Sequence, residues 1–300
     1  GCAEDKDVVD PEVRARREAR SEQTIQLVYP EWSSETASAH LIQVVLQERL
    51  GYRVDLTPVV VKEMWSRVAT GEADMLAGAW LPVTHRDYLR EYGDELEDVG
   101  PNLEGARIGL VVPTMKPGRQ TDDTGRTGRD LVTITEIVEM TARAQEFRGR
   151  IIGIEAGAGV VARTRDALEV YDLDRRFHLV ESDEASMVDR VNQAIARDEW
   201  VVFTGWRPHW MFERHNLRFL DDPRGVYGGE ESIHTMVRTR FGDAYPDAYA
   251  VLERMQWTPE DLERLMRWIH EDDAGDAYGQ ALRWIDVHTE TVDEWVAGIE

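Results

Sequence analysis

The chain has 300 residues, of which 42% are hydrophobic and 31% are charged. This length suffices for two ordinary domains, and the composition excludes a disordered tail or a small disulfide-stapled scaffold. The 58 acidic and 35 basic side chains give a net charge of -23. Such a charge repels phosphate backbones and anionic lipid surfaces, so nucleic acid is not expected as a partner. An acidic, lysine-poor surface is typical of a halophilic protein, although a genomic base-composition bias produces the same arginine excess.

The first 23 residues are polar and include the single cysteine, Cys2. They have no hydrophobic periodicity, which predicts a flexible tether over residues 1–23. A lone thiol cannot form an internal disulfide. Two interpretations of the Gly-Cys pair stay open: extraneous residues at the start of the chain, or the junction left by a removed lipoprotein signal peptide, with the lipid anchor on Cys2. No run of 18 apolar residues occurs, so no membrane-spanning helix is predicted.

From Thr24 onward, short β-type runs alternate with amphipathic helices, a pattern typical of α/β domains with largely parallel sheets. Ser33 and Ser34 offer N-caps for a helix that ends at Gly51. Residues 116–130 lack large apolar side chains and predict a surface loop. The other elements predicted in this half are strands over 24–29, 54–61, 74–79 and 108–112, and a short helix around Met64, Trp65 and Val68.

A second α/β unit follows the polar loop. Thr258 and Pro259 predict a capped helix start near the end of the chain, with Thr as the cap and Pro at the first helical position. The elements predicted before it are strands over 150–154, 177–180 and 200–204, and helices over 160–171 and 185–197.

A glycine-rich run, Gly157-Ala158-Gly159-Val160-Val161-Ala162, follows a predicted strand and opens a helix. With Glu181 at the end of the next strand, it is close to a dinucleotide fingerprint. Physically, it leaves backbone N–H groups and the positive end of the helix dipole facing an anion. A pyrophosphate, a smaller anion such as a carboxylate, and a plain tight turn all stay open.

Three of the ten tryptophans, Trp32, Trp80 and Trp206, directly follow predicted strands. Ligands of open α/β sheets bind outside the carboxyl ends of the strands, so these indoles are candidates to line a cleft. Indole faces attract cations, and a quaternary ammonium suits them because it has no N–H donors to leave unsatisfied. The alternative is three unrelated packing residues. The remaining tryptophans are predicted to serve packing: Trp65, Trp200, Trp210, Trp257, Trp268, Trp284 and Trp295.

His85 follows Trp80 by five residues, just beyond a candidate cleft strand. Its ring N–H can therefore reach a ligand carboxylate, while a purely structural histidine is the alternative. His209, His215 and His234 lack zinc-site spacing, so no metal site is expected. The sequence contains neither a Gly-x-Ser-x-Gly elbow nor a P-loop, so we predict no catalytic residues and no cofactor.

Four ordered blocks of the sequence form one specific set: AWLPVTH at 79–85, GIEAGAG at 153–159, TGWRPHWMF at 204–212 and IHT at 233–235. Together they resemble the substrate-binding proteins of glycine-betaine ABC importers of the OpuAC/ProX type. The resemblance runs from about Thr24 to Trp295. It implies an α/β, two-lobed periplasmic-binding-protein-like fold (type II) with the ligand cleft between the lobes. It implies a first lobe of residues 24–107 and 240–300 and a second lobe of residues 108–239.

The resemblance also implies roles for the candidate site residues. The aromatic cage for a trimethylammonium head maps to Trp32, Trp80 and Trp206. The groups that hold the carboxylate map to His85 and to the backbone amides of two residues in the glycine-rich turn, Gly159 and Val160. Related members accept choline, carnitine, proline betaine or sulfur analogues, so the identity of the ligand stays open.

Together, the residues and the resemblance lead us to expect an extracytoplasmic, monomeric receptor, in the periplasm or at the cell surface. It would touch the membrane only through a lipid anchor and deliver its small-molecule ligand to a cognate ABC permease, without being an enzyme. Two rival hypotheses are an NAD-dependent oxidoreductase that uses the turn at 157–162, and a receptor of the same fold for an unrelated solute.

Overall fold

The computed structural model describes residues 11–114 and 132–299. Within them, nine strands form a mixed sheet in the order β2-β1-β3-β9-β4-β7-β5-β6, with β8 paired to β4. The strands are β1 (Thr24–Tyr29), β2 (Arg53–Pro58), β3 (Met75–Leu81), β4 (Leu96–Pro113), β5 (Arg150–Ile152), β6 (His178–Val180), β7 (Phe203–Arg207), β8 (Leu217–Phe219) and β9 (Glu231–Arg238).

Twelve α-helices cover the sheet in the described residues. They are α1 (Pro11–Ser21), α2 (Ser33–Val44), α3 (Val61–Ala69), α4 (Arg86–Tyr92), α5 (Gly159–Val170), α6 (Glu184–Ala196), α7 (Met211–Arg214), α8 (Phe241–Ala244), α9 (Pro246–Leu252), α10 (Pro259–Glu271), α11 (Ala277–Val287) and α12 (Thr289–Val296). A π-helical turn over Val45–Leu50 extends α2, and 3-10 turns lie at Gly93–Glu95 and Ile137–Arg143.

The long strand β4 joins the two halves of the sheet. Its first part, Leu96–Ala106, pairs with β9, whereas its last part, Arg107–Pro113, pairs with β7 and β8. The pairing therefore defines two lobes. We call residues 24–106 and 231–299 the first lobe, and residues 107–230 the second lobe. This is the α/β, two-lobed fold expected from the sequence.

The second crossing between the lobes lies earlier in the chain than predicted. The expected boundary at 239/240 assigns β9 to the second lobe, but Glu231–Arg238 pairs with β3 and with the first part of β4. The prediction is wrong by one strand because the boundary came from the family resemblance, and no strand was predicted over 231–238 that could have been assigned to a sheet. The crossing in β4, between Ala106 and Arg107, lies one residue from the predicted boundary.

The flexible tether predicted for residues 1–23 is wrong for its second half, because Pro11–Ser21 forms α1. Arg20 anchors this helix and is only 5% exposed. Its guanidinium binds Asp247 at 2.7 Å and the carbonyl oxygens of Leu50 and Ile299 at 3.2 and 2.8 Å. The buried Arg20 guanidinium therefore holds α1 against the first lobe, and hydrophobic periodicity in the sequence does not reveal such a contact. Cys2 and the predicted loop at 116–130 lie outside the described residues.

Most predicted elements agree with the structure to within a few residues. The Thr258 side chain accepts a hydrogen bond from the Asp261 amide at 3.1 Å, which confirms the capped start of α10. Trp65, Trp284 and Trp295 are buried core residues, as predicted, while Trp268 is half-buried under the Arg283 guanidinium. In the part of the chain that the structure describes, no helix combines the length and the hydropathy needed to cross a bilayer.

Candidate functional site

A cavity lies between the two lobes and brings all six predicted ligand-binding residues together. The empty space within it, part of which is open to solvent, is about 290 Å³. The first lobe contributes one set of walls and the second lobe contributes the other, so the cavity is complete only when the lobes meet. The lining residues are Trp32, Trp80, Thr84, His85, Ile108, Ile154, Ala158, Gly159, Val160 and Trp206.

Three indole rings form the aromatic part of the wall. Trp32 precedes α2 as its N-cap residue. The sequence predicted that Trp80 and Trp206 would directly follow strands, but they lie inside β3 and β7, near the ends of these strands. The exposed fractions of the three residues are 8%, 3% and 4%. Across the lobes, the rings of Trp32 and Trp206 are 6.5 Å apart between centroids and inclined by 49°. The cage residues are therefore close together and shielded from water.

Two of the three indole N–H groups bind carboxylates. Trp80 Nε1 donates to Glu35 Oε1 at 2.7 Å, and Trp32 Nε1 donates to Glu155 Oε1. Burial raises the pKa of Glu35 to about 7 and also raises the pKa of Glu155. Trp206 Nε1 is buried and has no hydrogen-bond partner among the described residues.

His85 presents an unpartnered ring nitrogen at the cavity. Its Nδ1 accepts a hydrogen bond from the Trp80 backbone N–H at 3.2 Å, so the neutral ring carries its proton on Nε2. That Nε2 is buried without a partner in the described residues. Burial lowers the pKa of His85 to about 3, so the ring is neutral at physiological pH. The rings of Trp65 and Tyr88 pack edge-on against the imidazole, with centroid separations of 6.0 and 5.8 Å, and fix its orientation.

The glycine-rich turn brings the start of α5 to the same cavity. The first N–H groups of a helix have no acceptor within the helix, so the Gly159 and Val160 amides are available to an anion. Glycine is required at 159 because a Cβ there would lie 2.3 Å from the Thr84 carbonyl oxygen of the first lobe. The bare backbone lets the two lobes approach each other at this point.

The start of α2 is stabilised by the opposite lobe. The sequence predicted Ser33 and Ser34 as N-caps, but Trp32 is the N-cap residue and makes no capping side-chain bond. Instead, Glu184 of the second lobe accepts hydrogen bonds from the Ser33 amide, at 2.8 Å, and from the Ser33 hydroxyl. Burial opposes ionisation of Glu184, but bonds from His209 and Ser33 outweigh it and lower its pKa. A local sequence signal cannot reveal a cap supplied from another lobe.

Further contacts hold the lobes together around the cavity. The Tyr88 hydroxyl donates to the Gly157 carbonyl oxygen at 2.8 Å. The buried Arg163 binds Asp87 at 2.8 Å. On another side, Arg207 binds the buried Glu263 at 3.1 Å. These bonds all join the first lobe to the second, so the structure is the closed form.

Replacing Tyr88 with phenylalanine tests this closed form. The variant keeps the ring contacts with Trp65 and His85 but removes the bond to Gly157. Because a typical hydrogen bond contributes about 0.5–1.5 kcal/mol, we expect ligand affinity to fall about two- to tenfold, as measured by calorimetric titration. Tyr92→Phe on the same helix is the control and should keep the wild-type affinity. Equal affinity for Tyr88→Phe and wild type would contradict a role for this bond in closure.

Sequence reasoning missed the carboxylates around the cage. Glu35, Glu155 and Glu184 were not predicted, although Glu155 lies inside a block that was singled out and Glu35 follows Trp32 by three residues. No spacing reveals their roles, since Glu35 of α2 binds Trp80 of β3, and Glu155 of the second lobe binds Trp32 of the first. Within residues 11–114 and 132–299, no three His, Cys, Asp or Glu side chains are grouped to hold a metal ion.

Comparison with known families places this geometry in context. The family model described as the substrate binding domain of ABC-type glycine betaine transport systems matches residues 23–287. The chain belongs to this family. Members of the family are transport substrate-binding proteins, and substrate-binding proteins of ABC importers are extracytoplasmic.

The chain is similar to several characterised members of this family. It is 40% identical over 157 residues to the glycine betaine/carnitine transport binding protein GbuC of Listeria monocytogenes, a match that covers 52% of each chain. It is 35% identical to lactococcal OpuAC in its closed form with glycine betaine, with a TM-score of 0.81 over 91% of this chain and 99% of that one. It is 31% identical to ProX of Borrelia burgdorferi, with a TM-score of 0.82 over 92% of this chain and 97% of that one. The match thus spans about half the length of GbuC.

Proposed function

We propose that this protein captures glycine betaine between its lobes and delivers it to a cognate ABC permease. The trimethylammonium head lies among Trp32, Trp80 and Trp206. The carboxylate accepts hydrogen bonds from His85 Nε2 and from the amides of Gly159 and Val160. The observation that supports this most directly is that these six residues line one buried cavity.

The chemistry of the walls suits a zwitterion with an onium head. Indole faces attract a cation by about 0.5–2 kcal/mol per ring, at the upper end when water is excluded. A trimethylammonium has no N–H groups to leave unsatisfied in such a cage. At the other end, the unpartnered His85 Nε2–H and the free amides at the start of α5 favour a carboxylate. Choline lacks that carboxylate, so the site favours glycine betaine or carnitine over choline.

The wider biological role is proposed on the same basis. The protein acts as a receptor and not as an enzyme, in a monomeric form anchored to the membrane by a lipid on Cys2. Its net charge of -23 suits a salty medium, in which uptake of a compatible solute is useful. These proposals follow from family membership and from the composition of the chain.

A nicotinamide-dependent oxidoreductase is not favoured. The glycine-rich turn lies directly against Thr84 of the first lobe and lines the same cavity as the three indole rings. Glu181, the residue that would bind the ribose, is exposed and forms an ion pair with Arg165. Both features of the fingerprint therefore have another explanation.

Calorimetric titration, together with a thermal-shift panel, tests the proposed function. The panel contains glycine betaine, carnitine, choline, ectoine and NADH at low and high salt. We expect glycine betaine to bind with a micromolar dissociation constant. At a hundredfold excess over that constant, it stabilises the folded state by about 2.7 kcal/mol, which corresponds to a rise in melting temperature of about 5 °C or more. Stabilisation by NADH without any response to the betaines would contradict the proposal.

A further inference from the structure

Two carboxylates stand behind the cage without lining the cavity. Glu35 binds the indole N–H of Trp80, and Glu155 binds the indole N–H of Trp32. Glu35 is 3% exposed and Glu155 is half-buried. Each carboxylate thus contacts the edge of an indole whose ring forms part of the cavity wall.

Neither carboxylate has a cationic partner within ion-pair distance among the described residues. Two other buried carboxylates nearby have basic partners: Glu184 is bound by His209 at 2.9 Å, and Glu263 by Arg207 at 3.1 Å. The buried Glu231 is held instead by three hydrogen-bond donors, the Val83 and Thr84 amides and the Thr84 hydroxyl. Buried charges in proteins are normally paired, because an isolated one is costly to keep. Glu35 and Glu155 therefore lack a counter-ion, and the cavity in front of their indoles is the place where one can bind.

The charge of each carboxylate can act on the cavity in two ways. A carboxylate that accepts an indole N–H polarises the ring and increases the electron density of its face, which strengthens the attraction for a cation. The negative charge also attracts the cation directly, and this attraction is weakly screened where water is excluded.

We propose that Glu35 and Glu155 determine the selectivity of the cage for cations, with the ammonium of the ligand as their counter-ion. They act as positioning and electrostatic residues through Trp80 and Trp32. In this way they favour a charged onium head over an uncharged group of the same shape. The inference rests on the proposed function.

The environment of Glu35 adds a prediction about pH. The side chains facing it are Trp80 and Ser34, which donate to it, and Glu184 of α6, whose charge opposes its ionisation. Glu155 faces Trp32, Glu184 and Asp183. Burial raises the pKa of Glu35 to about 7. Only the ionised form attracts the cation, so affinity should fall as the pH drops through this value and recover above it.

The test compares glycine betaine with 3,3-dimethylbutanoate, its isostere with a neutral carbon in place of the nitrogen. Calorimetric titrations are made with the wild type and with the Glu35→Gln and Glu155→Gln variants. Glutamine keeps an acceptor for the indole N–H, so the cage keeps its shape. We expect each variant to bind glycine betaine about tenfold more weakly and to bind the isostere, which is a net anion, at least as tightly as the wild type does. The dependence of glycine betaine binding on pH should be lost in Glu35→Gln.

Controls separate this inference from simpler explanations. Glu290→Gln, exposed on α12, removes one negative charge away from the cage and should leave both affinities unchanged. Melting temperatures of the free variants confirm folding, and Glu155→Gln tests the idea at a more exposed position if Glu35→Gln is unstable. Equal losses for both ligands, or no loss for either, would overturn the inference. Absence of glycine betaine binding by the wild type would overturn the proposed function, and the inference with it.

Discussion

Trp80→Ala is expected to weaken glycine betaine binding at least tenfold. The substitution removes one ring of the cage, and a ring in a dry site contributes up to about 2 kcal/mol of cation attraction. A loss of 1.4 kcal/mol corresponds to about tenfold in affinity. The side chain is 3% exposed, so its removal also takes apolar contact from the methyl groups and leaves Glu35 with Ser34 as its remaining side-chain donor.

Calorimetric titration measures this loss, and Trp80→Phe is the matched variant. Phenylalanine keeps an aromatic face but has no N–H group for Glu35, so its affinity should lie between those of the wild type and Trp80→Ala. Thermal melts of the free proteins show whether each variant folds. Affinity that survives Trp80→Ala nearly intact would instead indicate a receptor of this fold for an unrelated solute.

Gly159→Ala is expected to prevent full closure and to weaken binding about tenfold to a hundredfold. The added Cβ would lie 2.3 Å from the Thr84 carbonyl oxygen and 2.5 Å from the Thr84 Cγ2 atom. Because the first of these atoms belongs to the backbone, the conflict is relieved only by moving the lobes apart. Overpacking of this kind typically costs about 1–3 kcal/mol. Separation of the lobes also takes the Gly159 and Val160 amides away from His85.

Gly157→Ala is a matched control two residues away. A Cβ at 157 would have its nearest contacts at 3.5 Å from Val61 and 3.7 Å from the Tyr88 hydroxyl, which are ordinary van der Waals distances. Small-angle X-ray scattering with saturating ligand should give a compact Gly157→Ala variant and an extended Gly159→Ala variant. Two variants with the same affinity and the same radius of gyration would refute the steric explanation.

The positions of the site residues were predictable because they depend on strands and on one turn. Each of Trp32, Trp80 and Trp206 lies at or near the carboxyl end of a strand that the sequence indicates, and an α/β sheet gathers such ends along one edge. The glycine-rich turn predicted a helix start whose first backbone amides are free to bind a ligand. These local signals made Gly159, His85 and the indoles candidates for one cleft, but unrelated packing roles stayed open until the family resemblance joined them in a single site.

The supporting groups around the site were not predictable in the same way. Glu184 caps a helix of the other lobe, and Arg20, near the start of the described chain, binds Ile299 at its end. These contacts join residues far apart in sequence, so no periodicity or spacing marks them. The assignment of β9 failed for a related reason, since partner choice in a sheet depends on the whole lobe.

The seclusion of the cage has a kinetic consequence. No cage residue is more than 8% exposed, and Gly159 lies directly against Thr84. A guest that has entered can leave only after the lobes swing apart. Its residence time is then limited by the rate at which the lobes separate, and that rate is slower for a ligand that bridges the lobes more strongly, so tighter binding would appear mainly as slower escape.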